Sequence, residues 1–301
     1  MNDAAFLAAI RDEPDEDLPR LAYADWLDEH GQAERAEFIR VQVELSHGVR
    51  DAGVSAGLLR RQRELLAGRR EEWLGPLKRL APGAVFERGF VCHVSMTAEK
   101  FLANAPKILA AHPITRLHFT QSADHLGALT RCQRLEGMRL LDLTANGLAE
   151  VAGPLLGGCP YVSRLRSLVL FGNTLQPNGV RALAASPYLS ELTSLDLAGN
   201  DMGDYGVSAF TEAIGLPKLA RLDLASNYVG TAGAEALARC TKLEQLSSLR
   251  LAYNRLTRAD VEQLTQSRCL ARVKVFDVTG NVMRRDELPL VEGKAALRVL
   301  V

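Results

Sequence analysis

Four aspartates, Asp142, Asp196, Asp223 and Asp277, stand at multiples of 27 residues from one another, with Val169 and Arg250 filling the gaps in the series. Acids at a fixed interval can hold a cation, share a proton or receive a basic partner. If each sits on a short strand in a parallel stack, adjacent members lie about 4.8 Å apart. Asp196 and Asp223 are then close like charges, which is unfavourable in isolation. Arg250 sits between Asp223 and Asp277 and relieves part of that repulsion. Phe171 and Tyr253 flank the row, and Arg221 belongs to the adjoining series. An aromatic anchor beside charge is a common construction for a binding hot spot. The row therefore reads either as a docking face for a basic or amphipathic protein segment, or as a set of solvated outward residues. A metal at Asp196 and Asp223 lacks the further oxygen ligands a cation needs, so no metal and no cofactor is expected.

Other candidate chemistry is thinner. Tyr23, Asp25, His30 and Glu37 could form a catalytic set, but Tyr23 and Asp25 are two apart and do not face each other on a helix. His30 precedes Gly31 at a helix end, where a dipole favours imidazolium. These residues read as a small aromatic core with acids on its wet side. The histidines are scattered, and His118 alone falls in the aspartate series. No Gly-rich phosphate loop, no nucleophile beside a base and no metal-spaced His/Cys set occurs. The five cysteines (Cys92, Cys132, Cys159, Cys240, Cys269) are odd in number and widely spaced, so they frame neither zinc nor disulfides. Cys159 and Cys240 lie thirteen residues after Asn146 and Asn227 respectively and read as buried packing residues. No catalytic residue is assigned.

The elements that position these residues come from the same interval. Asn146, Asn173, Asn200, Asn227, Asn254 and Asn281 are each 27 residues apart. Aliphatic or aromatic residues stand eight, five and three before each one, as in Leu192/Leu195/Leu197 before Asn200. A further apolar residue stands two after and another ten after, as in Met202 and Phe210. Repetition at this period is read before any local pattern. Alternation across Leu168, Val169 and Leu170 predicts a short strand ending at the asparagine. The spacing of Val180 and Leu183 predicts a helix in the second half of each unit. One strand and one helix cannot bury both apolar faces alone, whereas stacked copies build a continuous core. The asparagine amide can satisfy backbone groups at the tight turn, which makes the ladder structural rather than catalytic.

The segment LRSLVLFGNTL (Leu165 to Leu175) resembles the leucine-rich repeat, L-x-x-L-x-L-x-x-N-x-L. The length of 27, with Gly179, Gly206 and Gly233 six after their asparagines, is similar to the ribonuclease-inhibitor-like class. The resemblance implies an α/β solenoid, a horseshoe with a parallel concave sheet and convex helices. Two shorter frames precede the regular ones, Val91/Val94/Met96 and Ile114/Leu117/Phe119, with Glu99 and Ser122 in the asparagine place, giving eight in all. The apolar tail Leu297 to Val301 either folds over the open end or is covered by another chain.

Ahead of the repeats lie helical patterns. Asn2 or Asp3 can cap the first, Asp15 or Asp17 the second, and the third runs from about Ala33 to Ser46. Three short helices form a marginal core and must lean on the adjoining downstream segment. The words RLAYADWLDEHG (Arg20 to Gly31) and RAEFIRVQVEL (Arg35 to Leu45) resemble a short bacterial companion domain found at the N-terminus of repeat-carrying proteins. Residues 48–57 read as a linker. Leu58 to Leu74 reads as a basic amphipathic helix that caps the first repeat. Residues 1–45 hold twelve acids and four bases, and residues 46–90 hold nine bases and five acids, so the arginines of this helix are expected near the acidic N-terminal helices.

The expected organisation is a small all-α domain (1–47), a linker with a basic capping helix (48–88) and a solenoid (89–301). Zero formal net charge among 301 residues disfavours nucleic acid or a membrane surface as partner. No apolar run approaches the roughly 20 residues of a membrane span, no signal peptide is visible, and a reduced cytoplasmic setting is expected. The function these features point to is non-catalytic protein binding or scaffolding on the concave face. Regulation of another enzyme, by inhibition or GTPase activation, and self-assembly are the alternatives.

Overall fold

A computed structural model describes residues 2–48, 51–268, 270–282 and 298–300. The chain forms two compact units, Met1–Met96 with Lys100–His118, and Thr97–Glu99 with Phe119–Val301.

The first unit opens with α1 (Asp3–Asp12), α2 (Leu18–Glu29) and α3 (Ala33–Ser46). The Asn2 side chain caps α1 by accepting the Ala5 amide at 3.1 Å. Phe6, Leu7, Ile10, Tyr23, Leu27, Ile39 and Val43 share a core with Phe90 and Cys92. The three helices thus close only with the segment that precedes the first repeat strand, as their small size demands. Buried Gln42 fastens that segment, accepting the Gly89 amide at 2.7 Å and donating to the Phe86 carbonyl at 3.3 Å.

Helix α4 (Ala52–Leu74) begins earlier than Leu58, so most of the expected linker is helical. Asp51 accepts the amides of Gly53 and Val54, and this cap outweighs the weak helix preference of the Gly/Ser-containing turn. Its arginines meet acids of α3, Arg61 on Glu37 and Arg69 on Glu34, both at 2.7 Å. The helix stops at Gly75, where φ is +52°, a conformation that costs glycine little. The short α5 (Leu77–Leu80) comes next, then β1 (His93–Thr97), α6 (Ala98–Ala111) and β2 (Arg116–Thr120).

The second unit alternates short strands and helices: α7 (Leu126–Leu129), β3 (Leu140–Asp142), α8 (Ala152–Gly157), β4 (Ser167–Val169), α9 (Gln176–Ala184), β5 (Ser194–Asp196), α10 (Gly203–Ser208), β6 (Arg221–Asp223), α11 (Thr231–Arg239), β7 (Ser248–Arg250), α12 (Arg258–Gln266), β8 (Val275–Asp277) and β9 (Arg298–Leu300). Strands β3 to β9 pair in chain order and in parallel. From β3 to β8 each residue pairs with the one 27 positions on, as in Leu168 with Leu195. The middle residue of each strand from β3 to β8 is buried, and helices α8 to α12 pack each against the next. Close stacking needs small residues at the helix contact: a Cβ on Gly153 would stand 2.1 Å from the Gly179 carbonyl oxygen. Residues 298–300 add a ninth strand beside β8, Arg298 pairing with Val275 across an interval of 23 residues. The eight frames did not include it. The rest of the tail, with Met283 and Val291 of the last frame, lies outside the described residues.

Candidate functional site

The aspartate series is carried by the last residue of each strand. The register places Asp142 beside Val169, Val169 beside Asp196, Asp196 beside Asp223, Asp223 beside Arg250 and Arg250 beside Asp277. Each has a buried leucine or phenylalanine immediately before it, so the series lies on the sheet face turned away from the core.

Each aspartate also has a local duty that spacing alone did not reveal. Asp142, Asp196, Asp223 and Asp277 accept, through Oδ1, the backbone N–H two residues on, at 2.9 to 3.1 Å. These are Asx turns, and they start the bend that ends each strand. Strand alternation continued to the residues two before the asparagines would turn Ala198, Ala225 and Ala252 outward, yet they are buried together. The Asx turns of Asp196 and Asp223 lead into Ala198 and Ala225, and Ala252 takes the same place after Arg250 without an aspartate.

The second carboxylate oxygens differ in their fate. Arg250 donates from Nη1 to Asp223 at 2.6 Å and from Nε to Asp277 at 3.1 Å. Asp277 is 7 % exposed. Burial pushes its pKa up, but the Thr279 hydroxyl and amide and the Arg250 guanidinium pull harder, and the balance lies below the ordinary carboxylate range. Asp196 has no such cation against it. Burial and the neighbouring carboxylates Asp223 and Asp142 push its pKa up, against the Ala198 amide and the more distant Arg250. The row is thus compensated at one end and left anionic toward Asp142 and Asp196.

Phe171 and Tyr253 project as large exposed side chains, 46 % and 64 % accessible. A Cβ on Gly199 would touch the Phe171 ring at 3.7 Å, and one on Gly280 would strike the Tyr253 ring at 2.5 Å. The two rings therefore lie over glycines of the succeeding repeats. Arg221 is exposed, and its Nε reaches the Ser194 hydroxyl at 3.4 Å. Sequence reasoning missed two further exposed aromatics, Tyr205 under Arg181 and Tyr228 under Arg255, each 4.8 Å from guanidinium carbon to ring centroid. Their irregular places in the repeat gave no signal.

The asparagines hold the repeats to one another. Asn200 accepts the amides of Asn173 and Leu175 at 3.2 Å and donates to the carbonyls of Leu170 and Leu197 at 2.9 Å. Asn173 and Asn254 repeat the pattern, Asn227 follows it with the Ala225 carbonyl in the place of the one three residues back, and Asn146 and Asn281 make parts of it at the two ends of the series. Cys159 and Cys240 are buried thiols that donate to the Thr130 and Phe210 carbonyls, and Cys269 lies outside the described residues.

A family profile described as Leucine Rich repeat matches three successive segments, residues 164–184, 189–210 and 215–238. Residues 164–238 carry leucine-rich repeats. The matched repeats contain Phe171, Asp196, Arg221, Asp223 and three asparagines of the ladder. No curated protein matches the chain.

The other candidate set does not assemble. The Tyr23 hydroxyl donates to Asp3 at 2.9 Å, Asp25 pairs with Arg40 at 2.7 Å, and Glu37 is taken by Arg61. His30 stacks on Trp26 and places Nδ1 2.7 Å from its carbonyl. His118 meets the Ser95 hydroxyl at 3.0 Å. Among the described residues no group of three His, Cys, Asp or Glu could hold a metal, and no helix is long and apolar enough to cross a membrane.

Proposed function

We propose that the protein is a non-catalytic, cytoplasmic interaction or scaffolding module that receives a partner protein on the helix-free face of its repeats, the concave side of the expected ribonuclease-inhibitor-like horseshoe. The partner presents a basic or amphipathic segment. Asp142, Phe171, Asp196, Arg221, Asp223, Arg250, Tyr253 and Asp277 line the path it takes, and residues 1–47 act as the companion domain. The carrying observation is the uncompensated Asp196 carboxylate on the same face as exposed Phe171. A carboxylate partly withdrawn from water, without a cation, gains when a partner's arginine or lysine reaches it. Apolar area beside it supplies the affinity that charge alone does not.

The test is retention of a partner from native lysate by the intact chain and by a variant combining Asp196→Arg with Asp223→Arg, after the variant is shown to fold. Loss of one defined basic partner with the variant supports the reading. Equal retention by both moves the site off this face.

A further inference from the structure

The aspartate row contains one arrangement twice, and its two copies are filled differently. Asp223, Arg250 and Asp277 stand side by side on β6, β7 and β8. Asp142, Val169 and Asp196 stand side by side on β3, β4 and β5. In both sets the two aspartates lie two strands apart, about 10 Å by strand spacing. In both, each aspartate commits Oδ1 to the backbone N–H two residues on, at 2.9 to 3.1 Å. The four carboxyl groups are tethered alike, and Oδ2 is the atom left to act.

The middle residue is what differs. Arg250 places its guanidinium between its neighbours, with Nη1 on Asp223 Oδ2 at 2.6 Å and Nε on Asp277 Oδ2 at 3.1 Å. One planar cation thus serves a carboxylate on each side, as its fork of donors allows. Val169 fills the same register place with two methyl groups and no donor. Among the described residues neither Asp142 nor Asp196 forms an ion pair. Arg221 of β6 reaches the Ser194 hydroxyl rather than either aspartate. The first residues of the three strands, Leu140, Ser167 and Ser194, carry no charge. Burial and the surrounding carboxylates raise the pKa of Asp196, a cost that an arriving cation relieves.

The ground around this place suits a long cationic side chain. Val169 is apolar support for an aliphatic stem. Exposed Phe171, two residues on, offers a ring face of the kind on which a guanidinium stacks.

We propose that Asp142 and Asp196, over Val169 and beside Phe171, receive one arginine side chain of the partner's segment, held as the protein holds its own Arg250. This rests on the docking reading and narrows it from a basic segment to a guanidinium at a defined place.

The test needs no partner. The full-length protein, isotopically labelled and assigned, is titrated with acetyl-arginine-amide at constant ionic strength. The amides of Thr144 and Ala198, which donate to the two aspartates, are followed. Acetyl-lysine-amide, the uncharged acetyl-citrulline-amide and calcium chloride are added in parallel. The expected result is a saturable shift at both amides with the arginine probe, with the lysine and citrulline probes at least about fivefold weaker. Val169→Arg, which supplies a guanidinium from within the chain, abolishes the shift, whereas Val169→Leu keeps it. Arg250→Leu empties the second copy, and the probe then also shifts the amides of Ala225 and Thr279. Absence of a saturable shift at Thr144 and Ala198 in the unaltered protein overturns the subsite. Equal binding of the lysine or citrulline probe overturns the guanidinium, and tighter calcium overturns the side-chain ligand. A native partner lost with the Asp196→Arg/Asp223→Arg variant, while the arginine probe fails to bind, keeps the docking face and removes the arginine subsite. The unaltered protein decides these outcomes even if a variant fails to fold.

Discussion

At the scale of single residues, the two repeated polar side chains divide the labour. Asn200 is fully buried and satisfies backbone groups of two repeats at once. Asn200→Ala leaves several buried amides and carbonyls unpaired at about 1–3 kcal/mol each. We expect a loss of about 3 kcal/mol or more in chemical denaturation, and Asn200→Asp to be damaging too because the Nδ2 donors vanish. The aspartates serve the turn with one oxygen and leave the other to the surface. Since the folded-state pKa of Asp196 is raised, its charge costs stability once pH exceeds the ordinary aspartate range, and that cost is complete above the folded pKa. Asp196→Asn keeps an oxygen for the Ala198 amide and removes the charge. It should therefore raise stability at neutral pH, with the gain disappearing as pH falls below the unfolded aspartate value. Asp277 has the opposite sign: its lowered pKa gives stability above the ordinary range that is lost on acidification through the folded value. A denaturation series in pH on Asp196→Asn and Asp277→Asn separates the two. Spacing revealed which aspartates share a column. It could not reveal the Asx turns, because a turn-closing aspartate and a solvated one look alike in a string of letters.

At the scale of elements, the period carried most of the information. Strand positions, the parallel order and the buried frame residues come from a 27-residue interval that recurs from Asn146 to Asn281. Features that depend on one contact were hidden. Helix α4 begins at Ala52 because Asp51 caps it, and β9 forms from a tail whose interval differs from the rest. Ala198, Ala225 and Ala252 are buried although strand alternation continued past the strand's last residue would turn them outward. Helix spacing supplies a sharp prediction. Gly153 stands where any Cβ would press into the backbone at Gly179. Overpacking of this kind costs about 1–3 kcal/mol, so Gly153→Ala should lower stability in chemical denaturation by that amount. Gly127→Ala, where the nearest atoms beyond its own helix backbone are the end of the Arg131 side chain at 3.8 Å, should not.

At the scale of the whole molecule, repeats that each contact only their neighbours give a long face with little intrinsic chemistry. Fold alone does not name a function, and the proposed one rests on what that face displays. If a cationic segment docks there, binding should weaken as ionic strength rises, because charge pairs at an exposed face are screened. The most direct measurement is site-specific photo-crosslinking in native lysate, with benzoylphenylalanine placed at Phe171 on the sheet face or at Arg239 on α11. The account predicts a crosslinked partner from position 171, joined through a peptide rich in lysine or arginine, and none from position 239. A partner captured from position 239 and not from position 171 would contradict it.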